Sequence, residues 1–143
     1  MLEETWDGLP VAREPPYACC VVVWRQGTGG REFLVLHRAH FGPDFAGDWA
    51  WTPPSGARQP GEDPAAAAAR ELREETGLEL PVARVESPNP DVALYVAEAP
   101  ADGEITLDAE HDEHRWLPLD AAAGLCLPAT VADGLRAAAA ALA

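Results

Sequence analysis

The chain has 143 residues, 48% hydrophobic and 24% charged, which suits one soluble globular domain built on one core. Its 24 acidic and 10 basic residues leave a net charge of −14, which argues against general affinity for DNA or RNA backbone, since that rests on surplus positive charge. No stretch approaches the roughly 18–20 uninterrupted apolar residues of a membrane span, and Met1-Leu2-Glu3-Glu4 lacks the basic region and apolar run of a secretory signal. The expectation is a cytoplasmic protein that binds neither nucleic acid nor membrane. An acidic protein acting on an anionic substrate would need a cation between the two.

Residues 1–16, with Pro10, Pro15 and Pro16, read as an N-terminal arm ahead of a single domain over 17–143. Ala18 to Arg25 is a short β-rich apolar run, and Glu32 to Arg38 a second. Together they predict a hairpin with a five-residue connection, Gln26 to Gly30. Residues 39–50 form a loop rich in Gly and aromatics, long enough to suggest a functional role. Trp51 to Gly56 follows, and its two prolines are expected to bar it from a central ladder. Asp63 to Thr76 is the clearest helix: Asp63 caps it, Pro64 sits in the first turn, and Gly77 ends it. Strands are expected at 82–86, 92–97, 105–107 and 115–117, and an Ala-rich helix over 129–142 packs through Val131, Leu135 and Leu142. Cys19, Cys20 and Cys126, odd in number and without a CxxC, read as buried reduced thiols.

The chemistry concentrates in residues 56–78. On the expected helix Glu71, Glu74 and Glu75 are spaced i, i+3, i+4, so their carboxylates project from one face. Three like charges together are unfavourable unless something neutralises them. Arg70 lies beside them and can also reach Glu62. Oxygen ligands without sulfur or paired histidines suit Mg²⁺ or Mn²⁺, not zinc. A solvated Glu-rich helix is the plain alternative for this run taken alone.

The wider pattern resembles the Nudix box, GX₅EX₇REUXEEXGU with U aliphatic. All nine specified positions match: Gly56, Glu62, Arg70, Glu71, Leu72, Glu74, Glu75, Gly77 and Leu78. From average residue usage, chance alone gives this on the order of once in a billion start positions. The resemblance implies an α/β fold, an α/β/α sandwich around a mixed sheet, and a Mg²⁺-dependent pyrophosphohydrolase. The implied substrate is a nucleoside diphosphate linked to another moiety, such as a nucleoside triphosphate or a dinucleoside polyphosphate. By the same resemblance Glu71, Glu74 and Glu75 are metal-binding carboxylates, and Gly56 brings its carbonyl to a metal. Arg70 orients the cluster, and Glu62 is a further acid near the metals or an Arg partner. Leu72 and Leu78 face the core. Homodimers are frequent in the family. The family usually reads WxLPGG into its box, whereas this chain has Trp51-Thr52-Pro53-Pro54-Ser55-Gly56. Ser55 stands where the family has Gly, which puts that loop's backbone geometry in question.

A general base must take the proton of the attacking water. Some members use a box Glu such as Glu74, others a Glu on a later loop. The segment Glu110-His111-Asp112-Glu113-His114-Arg115-Trp116 resembles that loop, which ranks Glu113 first and Glu110 second. An acidic loop without catalytic duty is the alternative, and His111 and His114 read as solvated. Substrate contacts must come from surrounding segments. Arg38 and Arg58 are candidates for phosphate. Phe45 and Trp49, with Phe41 and Trp51 nearby, are candidates for stacking on a nucleobase, against ordinary packing. Tyr95 occupies a place where dinucleoside polyphosphate hydrolases of the family often carry Tyr, and it fits an alternating strand equally well. A second functional class stays open: a catalytically silent Nudix-like domain that senses a nucleotide.

Overall fold

The computed structural model describes residues 8–142, so the first seven residues of the expected arm lie outside the described residues. Strands β1 (Ala18–Gly27) and β2 (Gly30–Arg38) form the hairpin. Gly27 pairs with Gly30, so the turn is Thr28-Gly29 alone and shorter than expected. Gly30 takes φ 124°, which a residue without a Cβ adopts at little cost and which lets the ladder continue to the tip.

Away from that tip the two strands separate. Their direct pairing covers only Trp24–Gly27 against Gly30–Phe33. The gap is filled by β3 (Trp51–Thr52), antiparallel to β2, and β4 (Ser55–Ala57), antiparallel to β1. The expectation that two prolines keep this segment out of the sheet is therefore corrected. Pro53 and Pro54 sit at the crossing between the two short strands, where neither ladder needs their missing N–H. The Pro54 carbonyl still accepts from the Val21 amide at 2.8 Å.

Helix α1 (Pro64–Thr76) forms as its end signals predict. Asp63 accepts from the Ala66 amide, and Gly77 closes the helix in the left-handed region at φ 75°. Strand β5 (Ala83–Val85) pairs antiparallel with β6 (Val92–Glu98), and β6 lies parallel to β1 along its length. Residues 105–107 do not join the sheet. Ile105 and Leu107 pack on the core, and the Thr106 amide instead meets the Thr76 carbonyl at 2.8 Å. Strand β7 (His111–Leu117) runs antiparallel to β2 and starts four residues earlier than expected, so most of the anticipated acidic loop is strand. The charged run suits a strand whose other side has no partner. Helix α2 (Leu119–Leu125) is not anticipated by the sequence reading; α3 (Ala129–Ala141) is.

The result is a mixed sheet between two helical layers. On one face α1 buries Ala67, Ala68 and Leu72 against Val21, Val23, Leu34, Leu36 and Tyr95. On the other, α2 and α3 bury Ala122, Leu135 and Ala138 against Val22, Phe33, Val35, Trp51 and Leu94. Alternation along the strands assigns each residue to one face. Burial of the thiols is uneven: Cys19 and Cys126 are fully buried, Cys20 half-buried, and none is in a disulfide. Burial pushes Cys19 and Cys126 up to about 11 and Cys20 to about 12, so all three stay neutral.

Candidate active site

The site lies where α1 crosses β4. Leu72 buries completely on one side of the helix, which turns Glu71 and Glu75 toward the backbone of Ser55 and Gly56. The Ser55 amide donates to Glu75 Oε1 at 2.9 Å. Ser55 does not occupy the left-handed region, since among the described residues only Trp49 does so without being Gly. The departure from the family's Gly is thus accommodated. Gly56 is needed for a different reason. A Cβ placed there would stand 2.3 Å from Cδ of Glu71, well inside ordinary contact. The close approach of backbone to carboxylate requires a residue with no side chain.

Arg70 organises the other side. Its Nε and Nη2 grip Glu62 at 2.8 and 3.0 Å, its Nη1 reaches Glu71 at 2.8 Å and Glu74 at 3.3 Å, and Nη2 also meets the Ala57 carbonyl at 3.1 Å. One planar guanidinium therefore ties α1 to β4 and to the loop before the helix. The Glu62 bond, above all, raises the arginine's pKa, and Arg70 in turn holds Glu62 below the usual carboxylate range.

Electrostatics test whether the residues suit a cation. Burial raises Glu71 above its ordinary value, and burial followed by the charge of Glu71 raises Glu75 well above its own. Each carboxyl disfavours charge on the other, so one proton held between them relieves the repulsion. Nearly buried carboxylates of like charge are stable together only with such a proton or with a metal ion. The all-oxygen set, Glu71, Glu74, Glu75 and the Gly56 backbone, fits a hard divalent cation.

The structure brings Gly56, Glu62, Arg70, Glu71, Glu74 and Glu75 together. It does not bring Glu113 to them. Glu113 pairs across the ladder with His37, on the face carrying Val35 and Phe33, opposite α1, and its carboxylate ion-pairs with Arg115 at 2.8 Å. Asp108, Glu110 and His111 form a separate group whose ligand-type atoms lie within 4.8 Å of one another. His111 is buried and hydrogen-bonded through Nδ1 to Asp108 at 2.8 Å. The loop carrying this group is tied to the end of α1, where the Thr106 amide meets the Thr76 carbonyl at 2.8 Å, and the charge of Asp108 adds to the rise of Glu75. Asp108 is missed by the sequence reading because it precedes the acidic run; its spacing of three from His111 is the signal that was there.

Arg58 is also placed elsewhere than a phosphate contact would need. Buried at 4% exposure, it donates to the carbonyls of Pro16, Glu62 and Glu14 and to the Glu14 carboxylate. It fastens residues 14–16 to the domain, while Ala12 adds a backbone bond to the Arg58 carbonyl at 2.8 Å. Tyr95 is 2% exposed in the core beneath α1, with Arg84 over its ring, and does not reach the surface. Arg38 is exposed at the end of β2. In the aromatic loop Phe45 packs half-buried on the α2–α3 side, Phe41 lies over it at 4.8 Å, and Trp49 is half exposed. Trp51 is core, as its place in the pattern implies.

Comparison with known proteins agrees with this geometry. The family model described as NUDIX domain matches residues 14–141. The asymmetrical bis(5′-nucleosyl)-tetraphosphatase of Rattus norvegicus is 35% identical over 82% of this chain and 91% of that protein. An octanoyltransferase of Myxococcus xanthus is 30% identical over 82% of this chain, but the match spans only 35% of that protein, so its name carries no activity here. Among solved structures, a C. elegans Ap4A hydrolase binary complex superposes with a TM-score of 0.70 at 28% identity, covering 87% of this chain and 96% of that one. The nine matched box positions, the carboxylate cluster they build and the domain-length match together place the chain in the Nudix family, as a hydrolase acting on phosphorus-containing acid anhydrides.

Proposed function

We propose that the chain is a divalent-cation-dependent pyrophosphohydrolase of dinucleoside polyphosphates. The carboxylate pair Glu71 and Glu75, crowded and raised by burial against Ser55 and Gly56, is the observation that carries the dependence on a cation. The substrate class is supported by tetraphosphatases of rat, pig and mouse, 31–35% identical over 82–91% of their lengths.

Glu71, Glu74 and Glu75, with the Gly56 carbonyl, would hold Mg²⁺ or Mn²⁺. When bound, such an ion neutralises phosphate charge and lowers the pKa of water. The chain's own residues supply the rest. Arg70 keeps Glu62, Glu71 and Glu74 in register against β4, and the Ser55 amide holds Glu75. Glu110 takes the proton of the attacking water, ahead of Glu113, because its loop borders Glu75 while Glu113 faces away. Arg38 meets a phosphate oxygen, and the Phe41–Phe45 pair with Trp49 offers apolar surface for a nucleobase. A homodimer belongs to this reading and is checked by mass in solution. No helix among the described residues is long and apolar enough to cross a membrane.

The test is release of nucleotide and phosphate from dinucleoside tetraphosphates, nucleoside triphosphates, ADP-ribose and sugar nucleotides, with and without Mg²⁺, beside a Glu74→Gln control. Metal-dependent cleavage of the tetraphosphate, lost in the control, is expected. Preference for another member would replace the substrate class, and nucleotide binding without turnover would favour a sensor.

A further inference from the structure

His37 is fully buried in β2, yet both of its ring nitrogens face acceptors. Nδ1 lies 2.7 Å from the Asp112 carboxylate, and Nε2 lies 2.6 Å from the carbonyl of Phe45. A carbonyl can only accept, so Nε2 carries a proton. A carboxylate likewise accepts, so Nδ1 carries another. The ring is thus an imidazolium spanning two segments, β7 and the aromatic loop, which the Ala39 amide also joins through its 2.9 Å bond to the Glu110 carbonyl just ahead of the strand.

Asp112 is where β7 departs from regular pairing. Glu113 pairs with His37, but Arg38 pairs with His111, so one extra residue is accommodated between them. Regular alternation from Trp116 and His114 would put Asp112 on the α1 face and His111 on the opposite one. The bulge reverses this. His111 comes to share the α1 face with Arg38, and Asp112 is free to bond His37 on the other side. Bulges beside functional sites commonly re-aim a side chain in this way. Here the re-aimed residue belongs to the Asp108–Glu110–His111 group bordering Glu75.

We propose that His37 is a positioning residue for hydrolysis: its two N–H groups pin the β7 bulge and the aromatic loop in register, and so fix the acidic turn at 108–111 against the carboxylate cluster. The charges facing it come from β7, namely Asp112 and Glu113, with Arg115 beyond them over the Trp51 ring. The aromatic loop contributes the Phe45 carbonyl to the ring, its own His40, Asp44 and Asp48 being exposed. Strand β3 contributes only the Trp51 ring, 4.8 Å away. The helical layer on that side brings Cys126, and β1 brings Cys20, both kept neutral by burial. Burial opposes the protonated ring, but the Phe45 and Asp112 bonds outweigh it and raise the pKa.

The kinetic arm of the test rests on the proposed tetraphosphatase activity; the spectroscopic arm does not. In ¹⁵N-labelled protein at neutral pH, long-range ¹H–¹⁵N spectra should show both His37 nitrogens protonated, with the signal assigned by its loss in His37→Gln. Amide exchange at 108–113 and 40–46 should rise in His37→Gln and, at the β7 end, in Asp112→Asn, which keeps the Phe45 bond and the residue shape. On the tetraphosphate, His37→Gln should lower kcat by about 10- to 100-fold, the scale of a small misplacement at a reacting centre. Its half-saturating Mg²⁺ should not change, and the wild-type fall in kcat as His37 loses its proton should vanish. An unprotonated nitrogen on His37 at neutral pH, or unchanged exchange in both variants, would overturn the proposal. So would wild-type kcat in both. If no tetraphosphate is cleaved at all, the activity reading fails while the spectra and exchange still decide the role of His37.

Discussion

Gly56→Ala separates what the fold needs from what the site needs. The new methyl would meet Glu71 Cδ at 2.3 Å and its oxygens at 2.4 and 2.5 Å, so the carboxylate must retreat by about 1 Å to reach ordinary contact. The clash is with the end of a side chain and not with backbone, so the strain is relieved by turning Glu71. The cost to stability therefore sits at the low end of overpacking, about 1 kcal/mol. For a chain of this length the entropy of unfolding is about 0.3 kcal/mol/K, so Tm should fall by only about 3 °C. Turning Glu71 by that amount breaks its 2.8 Å bond to Arg70 and its contact with Glu75. A 1 Å error at a ligand is enough to lose on the order of 10²-fold in activity. Thermal unfolding with and without Mg²⁺ reads both effects. Wild type should gain Tm from the ion, and the variant should show a small drop and almost no gain. A variant with the full Mg²⁺ gain would refute the assignment of Gly56 and Glu71 to one site. A drop well beyond 10 °C would show instead that Gly56 serves the sheet.

Arg70→Ala leaves Glu62, Glu71 and Glu74 without their shared partner and should cost about 1–3 kcal/mol in denaturant unfolding; Arg70→Lys should recover little, because a single ammonium cannot reproduce the fork. Glu75 keeps its proton in the folded chain after the unfolded chain has released it near 4.5. The share of metal-free stability due to Glu75 should thus be complete in acid and decline as pH rises from there, and Glu75→Gln should remove that part of the slope in unfolding curves taken across pH. His37 works through the opposite charge: its contribution is complete below about 6.5 and is lost as pH rises through its higher folded value, a slope that His37→Gln should remove. Glu110→Gln should lower turnover by roughly 10²–10⁴, and Glu113→Gln should leave it near wild type; the reverse order in steady-state kinetics would return the base to Glu113.

The parts of the molecule legible in sequence are those set by local rules. Asp63, Pro64 and Gly77 mark the ends of α1 through capping and backbone freedom, and the i, i+3, i+4 acids follow once the helix exists. The fold class and the carboxylate cluster were thus within reach. What escaped depends on partners far along the chain. Ser55 and the two prolines look unsuited to a ladder until β1 and β2 are seen to part around them. Arg58 looks like a phosphate ligand until the arm's carbonyls surround it. The face on which Glu113 lies follows from regular alternation only once 111–117 is seen as strand, and the one-residue bulge next to it reverses the assignments of Asp112 and His111. Helix α2 was missed because a seven-residue Ala-rich turn after Pro118 carries too short a period to distinguish from a loop.

The wedge of β3 and β4 between the two central strands has a consequence for how this protein can change over evolutionary time. Ser55 and Gly56 are bonded into the middle of the sheet, so their amides should be among the last to exchange with solvent, opening only when the whole domain unfolds. The cation-binding end of the site is then as rigid as the core itself. By contrast, the loop at 39–50 lies outside the ladders and leaves Phe41 and Trp49 exposed. New substrates can be acquired by changing those exposed side chains while the carboxylate cluster stays intact, at little risk to folding.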